Sequence, residues 1–129
     1  MIIVLLFMIV LMTLYFFPLV GIRGESMLPA YRHGDILFSR RVFGKNKCEV
    51  GKVYVFRPPY DKSKKVIKRL VGIIDGKYFF EGDNKDLSRD SREYGLIEPE
   101  CVVAEIKVFL YRRRNVAPSI SILPPVSRI

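Results

Sequence analysis

Charge of either sign is absent from the first twenty residues, histidine occurs once, and cysteine occurs only twice in the 129-residue chain. Each shortage removes a class of chemistry. A Ser-His-Asp triad would depend wholly on His33, and the turn His33-Gly34-Asp35 places that imidazole toward solvent. Cys48 and Cys101 lie far apart with no paired-ligand spacing, which argues against a structural zinc site. In an oxidising compartment they can pair; otherwise they read as two small buried residues. No segment offers a long amphipathic helix, and there is no internal repeat.

What the chain does contain is divided unevenly. Of Met1 to Val20, all but Thr13 and Pro18 are apolar or tyrosine, so all 22 Lys and Arg and all 13 Asp and Glu fall on the residues that follow. Beyond residue 20 the apolar share drops to roughly 42%, an ordinary value for a folded domain. The length excludes a two-domain enzyme, the single apolar run excludes a multi-span membrane protein, and the apolar content excludes disorder. The formal charge of +9 raises anionic lipid or nucleic acid as a partner.

As a helix, twenty residues would rise about 30 Å, the thickness of a bilayer's hydrocarbon core. No Lys or Arg precedes the run, and its exit, Phe17-Pro18-Leu19-Val20-Gly21, lacks a small-x-small cleavage site. Residues 1–20 are therefore expected to be a retained transmembrane anchor rather than a removed signal. Arg23, Arg32, Arg40 and Arg41 would favour a cytoplasmic domain under the positive-inside rule, but domains of this length translocate largely regardless of charge.

The remainder is expected to be mainly β. Candidate strands are Leu19 to Arg23, Asp35 to Arg40, Lys52 to Phe56, Val66 to Ile74, Lys77 to Glu81 and Cys101 to Tyr111, with Asp75-Gly76 as a tight hairpin turn. One domain over residues 21–114 and a loosely held tail over residues 115–129 complete the division.

Three clusters carry candidate chemistry. Ser26 sits in Gly24-Glu25-Ser26-Met27-Leu28-Pro29, a turn after a strand where a hydroxyl and a backbone N–H can both face a ligand, although a nucleophilic serine needs a base. In Val66 to Ile74, alternation puts Val66, Lys68 and Leu70 on one face and Ile67, Arg69 and Val71 on the other, so one of the two cations shares a face with the core. Burial lowers a lysine pKa and makes Lys68 a possible general base, whereas arginine cannot be deprotonated; the alternative is a lysine that snorkels to solvent from a strand edge. The third cluster, Gly82-Asp83-Asn84-Lys85 to Gly95, has acids without EF-hand spacing, because Lys85 occupies the third ligand position and glycine is missing at the sixth. It reads as a polar loop whose Ser88, Asp90 and Arg92 hydrogen-bond a neighbouring site.

In this order and spacing, the motifs resemble the type I signal peptidase family, membrane-anchored serine peptidases with a Ser/Lys dyad. The resemblance rests on Gly24 to Pro29 with Gly34-Asp35, Gly51 to Phe56, Ile67 to Gly72, and Gly82-Asp83-Asn84 with Ser88, Asp90-Ser91-Arg92 and Gly95. It implies a small β-barrel-like catalytic domain on the outer, trans side of a plasma membrane or an organellar inner membrane. It implies Ser26 as nucleophile, Lys68 as general base, Ser88 hydrogen-bonding the lysine, Asp90 and Arg92 bracing the loop, and Gly24 and Met27 as supporting neighbours. Precursors bearing signal peptides and the lipid bilayer are the implied partners; no cofactor, metal or nucleic acid is expected. Ala30, Lys52 and Gly24 depart from common members, and Gly24 leaves no side-chain hydroxyl for the oxyanion hole. The short stretch from Gly72 to Gly82 implies that an accessory β domain is absent. The rivals are a dedicated maturation peptidase for one precursor, a self-cleaving repressor, and a membrane-tethered basic module using Lys62, Lys64, Lys65, Lys68, Arg69 and Arg112 to Arg114.

Overall fold

The computed structural model describes residues 1–43 and 48–112. The tail over 115–129, and Arg113 and Arg114 of the basic run, lie outside the described residues. Helix α1 (Ile2–Phe16) is followed by β1 (Leu19–Gly21), β2 (Ile36–Arg41), β3 (Val53–Phe56), β4 (Val66–Ile74), β5 (Lys77–Glu81), the single-turn α2 (Ser91–Tyr94) and β6 (Val102–Tyr111). The strands form one antiparallel sheet in the order β1-β2-β6-β3-β4-β5.

Every expected strand is present, displaced at its ends by at most two residues. The β4–β5 hairpin closes through Asp75 and Gly76, both with positive φ (51° and 74°), as a two-residue turn matched to strand twist requires. That leaves no room for an inserted domain between these strands.

Strand β3 is buried on both faces. Val53 and Val55 join Ile22, Met27, Leu37, Ala104 and Ile106 in one apolar cluster; Tyr54 and Phe56 join Leu70, Tyr78, Phe80 and Ile97 in the other. Phe56 and Phe80 stack with centroids 4.3 Å apart. Full burial of each contributes roughly 1.5–3 kcal/mol. Both cysteines are free thiols. Cys48 is buried in the second cluster, and the half-buried Cys101 accepts a hydrogen bond from Lys62 Nζ at 3.0 Å.

The expected twenty-residue membrane span is corrected to a fifteen-residue helix. Pro18 has no N–H to extend the helical ladder, and Leu19 to Gly21 are drawn into pairing with Phe38, Leu37 and Ile36. The helix is about 22 Å long at 1.5 Å per residue, short of the ~30 Å hydrocarbon core. Among the described residues no helix is long and apolar enough to cross a membrane. None of the residues of α1 is buried. Its last turn meets the sheet where Arg41 Nε donates to the Tyr15 carbonyl at 2.8 Å, Phe16 packs on Phe43, and Phe17 stacks on Phe38.

Candidate active site

Lys68 is the third residue of β4, opposite Tyr54, on the face it shares with Leu70, and is only 3% exposed. Arg69, on the other face, grips both carboxylate oxygens of Asp83 at 2.8 Å and donates to the Gly51 carbonyl. The alternation thus separates one desolvated cation from one paired cation.

Ladder lengths create the opening at Lys68. Strand β3 pairs with β4 from Val66 to Arg69, but β5 ends at Glu81 opposite Arg69, so among the described residues the β4 edge from Val66 to Lys68 has no strand on that side. The Ser26 turn enters beside it. Met27 anchors the turn in the apolar core, the Leu28 N–H donates to the Glu25 carbonyl, and the Tyr31 N–H donates to the Met27 carbonyl. From the far side, Asn84 holds the same turn: its N–H donates to the Ser26 carbonyl at 2.9 Å and its side-chain amide donates to the Glu25 carbonyl at 3.1 Å.

These constraints bring Lys68 Nζ, as donor, to 2.9 Å from Ser26 Oγ. Burial pushes the Lys68 pKa down to about 8, against the opposing pull of the Asp90 charge. Ser26 is the one hydrogen-bond partner of this amine among the described residues.

Ser88 has a different partner from the expected one. Its hydroxyl donates to Asp90 Oδ2 at 2.7 Å, an oxygen that also receives the Gly82 N–H at 2.9 Å. Arg92 donates to Asp90 through Nε at 2.9 Å and ties the loop back through the Lys85 carbonyl. Arg92 keeps Asp90 ionised, and an ionised carboxylate can only accept, so the Ser88 hydroxyl donates to it. Burial of Asp90 alone would raise its pKa, but the Arg92 guanidinium, the Gly82 N–H and the Ser88 hydroxyl together hold it down to about 2. Asp90 and Arg92 therefore stand as a brace one layer behind the Lys68–Ser26 contact.

Gly24 lies at φ 81° and its N–H donates to His33 Nδ1 at 3.1 Å. The Gly24 amide is thereby committed, while the Ser26 N–H has no acceptor among the described residues. His33 is exposed, as its turn implied, and serves this loop as a hydrogen-bond acceptor.

Three contributors had no role assigned from sequence. Gly82 is the tightest: a Cβ there would lie 2.1 Å from Ser88 Oγ and 2.6 Å from the Ser26 carbonyl oxygen. Asn84 is the second. The third is the buried Asp35, which accepts the Arg32 N–H and the Arg112 guanidinium; Arg112 also reaches the Ala30 carbonyl, closing the Ser26 turn against the end of β6. Gly82, Asn84 and Asp35 all stood inside quoted motifs, but sequence spacing carries no information on which backbone atoms they approach.

The class defined by this fold and site is a small, mainly β protein presenting a serine hydroxyl to a desolvated amine. The family model described as "Signal peptidase, peptidase S26" matches residues 1–74, more than half the chain, and the chain belongs to that family. The matched region holds Ser26 and Lys68 and ends before the Gly82 to Arg92 loop. No curated protein matches. Membership makes the chain a peptidase of the signal-peptidase class, a membrane-associated family whose substrates are precursors bearing signal peptides.

Proposed function

We propose that the protein is a membrane-associated serine endopeptidase that removes signal peptides from exported precursors, with Ser26 as nucleophile and Lys68 as general base. The observation that carries this reading is the 2.9 Å contact between Ser26 Oγ and an amine that is 3% exposed. A lysine with a pKa of about 8 is neutral in a useful fraction of molecules near neutrality, so its lone pair can take the serine proton.

The Ser26 oxygen attacks the scissile carbonyl as its proton passes to Lys68 Nζ. The unpartnered Ser26 N–H faces the developing oxyanion. The tetrahedral adduct collapses when Lys68 returns the proton to the leaving amine, giving an acyl-enzyme. Lys68 then deprotonates a water that hydrolyses the ester. The substrate lies as an added strand along the unpaired β4 edge from Val66 to Lys68, its backbone completing the ladder that β5 leaves open.

Helix α1 holds the domain at the bilayer. Among the described residues no protein surface covers its apolar side chains, and Tyr15, Phe16 and Phe17 mark its junction with the sheet as an interfacial belt would. The catalytic domain then faces the outer, trans side, where exported precursors present their cleavage sites. Purified Ser26→Ala and Lys68→Ala variants are each expected to leave a secreted precursor uncleaved under conditions in which the parent processes it. Full processing by either would overturn the dyad.

The basic-module reading loses three of its residues, since Lys68 is buried, Arg69 is bound to Asp83 and Arg112 to Asp35.

A further inference from the structure

Part of the chain's surplus positive charge is concentrated in one loop. In the loop of residues 57–65, between β3 and β4, Arg57, Lys62, Lys64 and Lys65 stand against the single carboxylate of Asp61. That carboxylate is turned back into the loop, accepting the Ser63 N–H and hydroxyl. None of the four cations forms an ion pair among the described residues, whereas Arg69, Arg92 and Arg112 are each bound to a carboxylate. Lys62, Lys64 and Lys65 are exposed, and Tyr60 stands among them with the Arg89 guanidinium 4.0 Å above its ring.

Sheet register says what this loop faces. Arg41 pairs with Ala104, Ala104 pairs with Val55, and Val102 pairs with Phe56, so the ends of β2 and β3 lie at the same end of the sheet with only β6 between them. Two ladder spacings put them about 10 Å apart. Arg41 and Phe43 are the residues that hold the last turn of α1. The loop therefore leaves the sheet beside the point where the uncovered apolar helix enters it.

We propose that the 57–65 loop is an electrostatic docking surface for anionic phospholipid headgroups, set at the depth where α1 leaves the bilayer. This rests on the reading of α1 as the membrane-associating segment. Charge complementarity and continuity with α1 favour lipid over nucleic acid, and the guanidinium over Tyr60 covers a ring face on which a base would stack.

The test uses the full chain reconstituted in phosphatidylcholine vesicles and in vesicles that also contain phosphatidylglycerol. Lysine acetylation by a water-soluble ester is read by mass spectrometry, with Lys77 at the opposite end of the sheet as internal reference. Labelling of Lys62, Lys64 and Lys65 relative to Lys77 is expected to fall about five-fold in the anionic vesicles, the factor that corresponds to one headgroup-bound charge, and to recover at high salt. Equal labelling in the two vesicle types overturns the proposal. So does stronger protection by a single-stranded oligonucleotide in neutral micelles. Flotation with the phosphatidylcholine vesicles separates the two readings: a chain that fails to float removes the role of α1, and a floating chain with equal labelling removes only the docking loop.

Discussion

On the proposed reading, Lys68 is a single side chain that costs stability and supplies chemistry. Its folded pKa of about 8 lies below the ordinary 10.5. Between those values the unfolded chain holds a proton that the folded protein lacks, so this group makes stability rise with pH across that window. Below it the fold carries a desolvated ammonium at a cost of about 3 kcal/mol. Lys68→Met should therefore unfold at higher urea than the parent at pH 6, by about 2–3 kcal/mol, with the gain shrinking as pH rises from 8 to 10.5. In the active protein the same titration should appear as an acidic limb in kcat/KM for a precursor peptide, rising through an apparent pKa of about 8. A limb near 10.5 would mean that the working amine is solvated. Alternation in the sequence limited the buried cation to Lys68 or Arg69. The choice came from the structure, because Asp83 sits where it can bind the guanidinium with both oxygens, and no carboxylate is so placed for the amine.

At the level of elements, the site is a junction of a turn, a strand edge and a loop. The Ser26 turn is held by Asn84, the loop by Asp90, and the two meet across Gly82, whose missing side chain lets them approach. Gly82→Ala should lower kcat by at least about 10²-fold while leaving the protein folded by circular dichroism, because the methyl must displace Ser88 or the Ser26 backbone. Near-parental turnover would show that the loop can yield without moving Ser26. The strands were legible in the sequence because β-branched and aromatic alternation is a local property, and Asp75-Gly76 specifies its own turn. Less could be read of Ser88. It was expected to hydrogen-bond Lys68, but its hydroxyl donates to Asp90, since hydrogen-bond choice follows acceptor strength and distance.

For the molecule as a whole, the division between an uncovered apolar helix and a charged β domain organises everything else. Helix α1 contributes nothing to either apolar cluster. Deleting residues 2–15 should leave hydrolysis of a short peptide in detergent within about two-fold of the parent while abolishing flotation with vesicles. Loss of both would mean that α1 also supports the sheet.

The sequence by itself determined the mainly β architecture, the separation of an apolar N-terminal run from a charged remainder and the choice of Ser26 and Lys68 as candidates, because composition, periodicity and motif order are all written along one dimension. The tertiary structure alone decided that the apolar run yields a helix of only fifteen residues, its last residues being drawn into pairing with β2. It also decided that β5 stops opposite Arg69, that Gly82 must lack a side chain, and that an amine forty-two positions from its serine comes within 2.9 Å of it. These outcomes depend on which distant backbones compete for the same hydrogen bonds and the same space, a contest that is settled only when the sheet closes around its two apolar clusters.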